Sequence, residues 1–261
     1  MELVENPEVV MKWLLDSPLS DPSTGLETSD WQATTWILHA MYSVDLSYVP
    51  SPELLDRSRF YPLIDDGPLK PGNDLRAYAP DSNLTGYQGH RVLWSEYFGR
   101  TEHELARKYR PGLGWFNARP VAPAMIFPPE GSMDPVSFTA LLKILDQQPT
   151  TECFVYYASL PADDFSKHHL WTGQVKEVWS LVSGEAYDFT PTNMWASDHS
   201  WFTLTNYDLQ GTQVCGTENL IEQVRHCQDL ETIDIPKSPD RRLDREYSLN
   251  RDDLGSPPNQ R

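Results

Sequence analysis

Asp198, His199 and Ser200 stand side by side in the stretch Asn193 to Asp208. A carboxylate, an imidazole and a hydroxyl are the parts of a nucleophilic triad, in which an acid orients a base and the base activates a nucleophile. Their adjacency opposes that use. Successive side chains on a strand point to opposite faces, so three consecutive residues do not form a nucleophile–base–orienter line. Ser200 also lacks the Gly-x-Ser-x-Gly elbow. Asp198 and Asp208 flank the strand expected at Trp201 to Thr205. A strand advances ~3.3 Å per residue, so the two carboxylates would meet only if the flanking turns folded back. The local alternative is structural: Asp198 and Ser197 bond backbone amides at the strand entry, Trp195 and Trp201 pack, and the Asp208 side chain closes a turn at Tyr207-Asp208.

Other chemistries have weaker patterns. His168 and His169 are adjacent and would diverge on a regular strand. Cys215, His226 and Cys227 could supply three ligands, but Cys227 falls on the apolar stripe of a helix. There is no Cys-x-x-Cys or His-x-x-x-His spacing, and no metal or cofactor is expected. The loop Pro129 to Ser132 joins a strand end to a helix start, where anions bind. Glu130 and Asp134 oppose a phosphate there, and the glycine–lysine pattern of a phosphate loop is missing.

Charge narrows the partners. The formal net charge is −17. Residues from Lys237 onward hold six basic and five acidic side chains, so the 15 basic and 33 acidic residues before them carry −18. Such a field repels phosphate backbones and anionic lipid, which excludes nucleic acid and membrane surface as expected partners and favours a basic protein. Ten of those 15 basic residues lie between Arg57 and Arg119, where they can pair with the acidic C-terminal half. Nine Trp, twelve Tyr and nine Phe supply enough aromatic area for a packed core without disulfides. Three cysteines without tight spacing read as reduced, buried thiols. The N-terminus carries Glu2, Glu5 and Glu8 and does not fit a signal peptide.

These residues need elements to position them. A short helix is expected within residues 1–15. A second is expected from Ser29 or Asp30, with Ala33, Trp36, Ile37, Ala40, Met41 and Val44 at helical spacing and His39 off the stripe, on the surface. Residues 48–90 are broken by prolines and glycines, either a functional insertion or short strands and turns. Arg91 to Phe98 suits helix or strand, and Thr101 to Glu104 is a capping box. Strand, helix and strand follow at Ala122 to Phe127, Asp134 or Pro135 to Leu145, and Cys153 to Leu160, a series that usually makes a parallel crossover. Pro161 to Leu170 reads as a polar loop and Gln174 to Val182 as a strand. Strands at Trp201 to Thr205 and Thr212 to Cys215 form a hairpin, Thr217 caps a last helix, and Leu230 to Ile235 returns as a strand. The expected fold is α+β: a helical, proline-rich N-terminal part (1–118), a mixed sheet covered by helices (119–236) sharing its core, and a disordered tail (237–261).

The order Trp195, Asp198-x-Ser200-Trp201-Phe202, Tyr207-Asp208-Leu209, Thr212, Gly216 and a short helix resembles the C-terminal signature of a group of uncharacterised bacterial proteins. It is also similar to small acidic immunity proteins of bacterial toxin systems, which bind and inhibit a cognate toxin. That resemblance implies a cytosolic, non-enzymatic role and transfers no functional residue. The leading expectation is a cytoplasmic protein-binding module, in its particular form an immunity-type inhibitor of a basic toxin. Trp195, Asp198, His199, Trp201, Tyr207 and Asp208 are its candidate contact residues, because clustered aromatics and carboxylates suit a binding hot spot. The alternatives are a small-molecule or hydrolytic enzyme using Asp198, His199 and Asp208, and a structural scaffold whose tryptophans are all core.

Overall fold

The computed structural model describes residues 1–44, 89–99, 110–112, 125–126, 128, 130–182, 187 and 189–235. The fold is α+β, organised on an eight-stranded sheet in the order β1-β7-β6-β8-β9-β10-β2-β11. Its strands are β1 (Glu2–Leu3), β2 (Ala33–Leu38), β6 (Glu152–Tyr157), β7 (His169–Gln174), β8 (Asn193–Ala196), β9 (Phe202–Leu204), β10 (Gly211–Gly216) and β11 (Glu231–Ile233). A second sheet has three strands in the order β4-β3-β5: β3 (Met41–Val44), β4 (Gly89–Val92) and β5 (Met125–Ile126). Every strand pairing in both sheets is antiparallel. The expected parallel crossover is therefore corrected. β5 belongs to the small sheet and β6 to the large one, so the helix between them links two sheets rather than two strands of one.

The helix expected from Ser29 or Asp30 to Val44 is instead two strands, β2 and β3. Thr34, Thr35, Trp36 and Ile37 are β-branched or aromatic and suit a pleated surface. β2 lies between β10 and β11 in the sheet plane, and Thr35 to Leu38 are buried on both of its faces. Ile37 joins one hydrophobic cluster while Trp36 and Leu38 join another. Apolar residues on both faces, interrupted at His39-Ala40 where the chain changes sheet, imitate a 3.6-residue stripe. His39, expected at the surface, is fully buried. Its Nε2 lies 3.0 Å from Thr212 Oγ1, and its carbonyl accepts from Trp94 Nε1 at 2.8 Å. The N-terminal part is thus not chiefly helical: its described residues hold α1 (Pro7–Leu15) and the short α2 (Trp94–Phe98) among β1 to β4. The two oxygens of the buried Glu231 carboxylate accept from Trp94 N at 2.6 Å and Ser95 N at 2.9 Å, capping α2 from the far edge strand.

Local start signals fare well. α3 (Pro135–Leu145) opens on Asp134, whose Oδ1 accepts from Val136 N and Ser137 N, with Pro135 at the first position. α6 (Glu218–Arg225) opens on Thr217, whose Oγ1 accepts from Leu220 N. Residues 174–182, expected as a strand, are a 3-10 turn (Val175–Glu177) and α5 (Trp179–Val182); Gln174 and Glu177 close a capping box at its start. Val175, Val178 and Val182 are buried, a helical spacing that imitates alternation when read without the cap. The loop expected at 161–170 holds the end of the turn α4 (Ser159–Ala162) and the start of β7.

Alternation along the strands divides the core. Cys153, Val155, Tyr157, Met194, Ala196 and Val214 share one cluster with Phe138, Leu141 and Leu145 of α3 and Leu220, Ile221 and Val224 of α6. Tyr156, Trp195, Phe202, Leu204 and Cys215 face the other way, against Met11 and Leu14 of α1 and Leu26. Strands from both sides of residue 118 lie in the one large sheet. The capping box at Thr101 to Glu104, residues 48–88 and the tail from Lys237 lie outside the described residues. No helix among the described residues is long and apolar enough to cross a membrane.

Candidate functional site

The meander β8–β9–β10 carries all six candidate contact residues, and it separates them. Trp195 is fully buried, stacked on Phe154 at 5.5 Å and edge-on to Trp13 at 6.3 Å. Trp201 is buried too, and its indole Nε1 donates to the Thr150 carbonyl at 3.2 Å. Both tryptophans belong to the core and offer no surface to a partner. The remaining candidates sit in two turns at opposite ends of β9.

The first turn joins β8 to β9. His199 N donates to Ala196 O at 2.9 Å, closing residues 196–199. Asp198 Oδ2 accepts from Thr150 Oγ1 at 2.6 Å and Oδ1 from Ser200 N at 3.0 Å. Hydrogen bonds from Ser200 and Thr150 hold this carboxyl below the usual carboxylate range. His199 takes the left-handed conformation, with φ 60°, and stacks its ring on Trp13 at 4.3 Å and 23°. Asp198 and His199 are exposed, but each is committed to a neighbour. Among the described residues no hydrogen bond joins His199 to Asp198 or to Ser200.

The second turn joins β9 to β10. Leu209 N donates to Asn206 O, and Asn206 Oδ1 accepts from Asp208 N at 3.0 Å. Asn206 therefore closes the Asx turn that was expected of Asp208, and the Asp208 carboxylate is left at the surface. Gly131 packs under this turn. Its N donates to Leu209 O at 2.8 Å, its φ is +64°, and a Cβ there would lie 2.9 Å from Tyr207 Cα. Only glycine combines that backbone with that approach. The contact brings Glu130 beside Asp208. Burial, and after it the Asp208 charge, push the Glu130 carboxyl up to about 7. Burial and the Asp21 charge raise Asp208, and burial followed by the Glu130 and Asp208 charges raises the Tyr207 phenol. Among the described residues no ion pair engages Glu130 or Asp208.

Asp198 and Asp208 are thus not brought together, and a triad or carboxylate pair is not assembled from Asp198, His199, Ser200 and Asp208. Tyr207 and Asp208 are brought together with two residues that the sequence did not place beside them: Glu130, weighed only as an opponent of phosphate binding, and Asp21. The one local signal for Glu130 was its place in a tight glycine loop before α3. The adjacent histidines diverge: His168 Nδ1 lies 3.3 Å from Tyr156 Oη, while His169 turns to Asp164 and Tyr187. Comparison of the chain with protein-family models, with curated proteins and with solved structures returned no match.

Proposed function

We propose that the protein is a cytosolic binding module for a basic protein, engaging it through the turn formed by Glu130, Tyr207 and Asp208; an immunity-type inhibitor of a basic toxin is the particular form of this reading. The observation that carries it is the Glu130–Asp208 pair: the Asp208 charge raises the cost of ionising Glu130, the Asp21 charge raises that of Asp208, and no cation is set against the pair among the described residues. A Lys or Arg side chain from a partner relieves that repulsion, and the half-buried Tyr207 ring supplies the adjoining aromatic contact. The chain's net charge of −17 speeds the approach of a basic partner and slows that of an acidic one.

The test is affinity capture from cells that express the protein, run in parallel with the wild type and with Glu130→Gln/Asp208→Asn. The expected result is one stoichiometric basic protein retained by the wild type, weakened by salt, and lost from the double variant. Capture of no stoichiometric partner, or of one retained equally by both chains, contradicts the reading.

A further inference from the structure

A second polar assembly lies at the other side of the large sheet, near its β1 edge. His169, the first residue of β7, has Nε2 at 3.0 Å from Asp164 Oδ2 and Nδ1 at 2.9 Å from Tyr187 Oη. Trp171, two residues further along the same face, donates its indole Nε1 to that Tyr187 oxygen at 3.1 Å. Tyr157, paired with His169 across the strands, stacks its ring on Tyr187 at 3.7 Å and 11°.

The hydrogen-bond inventory fixes the direction of this chain. Asp164 Oδ1 already accepts from Ser166 N and Ser166 Oγ, and these bonds with that from His169 hold the carboxyl well below its ordinary range. It is a carboxylate and can only accept. In its neutral form the imidazole gives its Nε2 hydrogen to Asp164, which leaves the Nδ1 lone pair for the Tyr187 hydroxyl. That is the order orienter, base, nucleophile, drawn from the 158–168 connection, β7 and Tyr187, and it is the line that Asp198, His199 and Ser200 do not form. Burial raises the Tyr187 phenol, while the bond from Trp171 opposes the rise. The phenolate is thus not present beforehand, and the hydroxyl reacts only if a base removes its proton as the new bond forms. His169 is placed to do so, and Trp171 to stabilise the oxygen as charge develops.

We propose that Tyr187 is an acyl-acceptor site: its hydroxyl, with His169 as base and Trp171 as donor, takes an acyl group from a neutral activated acyl donor. In the step, Tyr187 Oη bonds to the acyl carbon and the bond from that carbon to the leaving group breaks. The phenol proton passes to His169 Nδ1 and from there to the leaving group. A neutral donor is specified because a chain of charge −17 repels anions such as acyl phosphates. An apolar acyl chain is favoured because the connection that carries Asp164 also exposes Leu160 and Phe165, the latter by 69%. This site is separate from the acidic turn and stands whether or not that turn binds a basic protein.

The probe is N-acetylimidazole on the full chain, with acetylated tyrosines located by peptide mass spectrometry and Tyr207 as the reference within the same sample. Tyr187 is expected to react faster than Tyr207 by roughly tenfold or more, the low end of what a positioned base contributes. His169→Gln, with its native circular dichroism retained, is expected to bring that ratio to about one, and Asp164→Asn to lower it by disturbing the tautomer. Should His169→Gln fail to fold, the ratio is read in folded Asp164→Asn, where a lower value supports the proposal. An unreactive Tyr187, a ratio unchanged in folded His169→Gln, or a ratio unchanged in folded Asp164→Asn overturns it.

Discussion

The turns at the two ends of β9 are built from the same kinds of residue and differ in what surrounds them. Each places an exposed aspartate next to an aromatic or imidazole ring, Asp198 beside His199 and Asp208 beside Tyr207. At the first, hydrogen bonds from Ser200 and Thr150 satisfy the carboxylate and favour its charged form. At the second, Asn206 takes the local backbone amide, the Asp208 charge opposes ionisation of Glu130, and the Asp21 charge opposes that of Asp208. Residue type alone therefore does not distinguish a structural turn from a candidate binding turn. What distinguishes them is whether a donor or a cation among the described residues answers the Asp198 or the Asp208 carboxylate.

The largest effect that separates the turns is expected at Gly131. Replacing it with alanine forces a side chain into a left-handed backbone and against Tyr207 Cα. Gly131→Ala should lower the unfolding free energy by about 2–3 kcal/mol in urea denaturation. A loss below about 0.5 kcal/mol would mean that the Tyr207 turn does not depend on this contact.

Next is the pH dependence, in which the two turns have opposite signs. The folded-state value of Glu130 is raised above that of the unfolded chain. The native state then binds the extra proton, and its stabilising effect is present below the ordinary glutamate range and lost as pH rises through about 7. Glu130→Gln should remove that loss, gaining on the wild type by roughly 1 kcal/mol at pH 8 after allowance for solvent screening. Asp198 behaves in reverse: its value is depressed, so its contribution is present above the ordinary aspartate range and lost as pH falls through the folded value. Asp198→Asn should flatten the acid side of the stability curve and leave the alkaline side unchanged. Equal pH profiles for the two variants would erase the contrast.

Smaller effects belong to the satisfied turn. Thr150→Val deletes the donor to Asp198 Oδ2 and should cost about 0.5–1 kcal/mol. His199→Ala removes the ring stacked on Trp13 and should cost roughly 0.5 kcal/mol, with a shift in tryptophan emission. A larger loss from His199→Ala than from Gly131→Ala would reverse the ranking.

How much of this was legible in the sequence depended on the range of each interaction. The cap at Asp134, the cap at Thr217 and the β9–β10 hairpin rest on residues a few positions apart, and all were readable. β2 was misread because it is buried on both faces, so alternation carried no polar half to reveal the two-residue period. The placement of His39 failed with it, since the position was judged against a helical stripe that does not exist. The approach of Glu130 to Asp208, and of Asp164 and His169 to Tyr187, is made by tertiary packing, and no local spacing encodes it. The pair Asp198-His199 attracted attention by its types, yet the linear order of acid, base and hydroxyl is assembled instead from Asp164, His169 and Tyr187.

The contrast between the turns is tested most directly by following the side-chain carboxyl resonances of Glu130 and Asp198 through one NMR pH titration of the intact chain. The expected result is a Glu130 midpoint near 7 that falls in Asp208→Asn, with Asp198 titrating below the ordinary aspartate range. A Glu130 midpoint in the ordinary glutamate range, unmoved by Asp208→Asn, would contradict it.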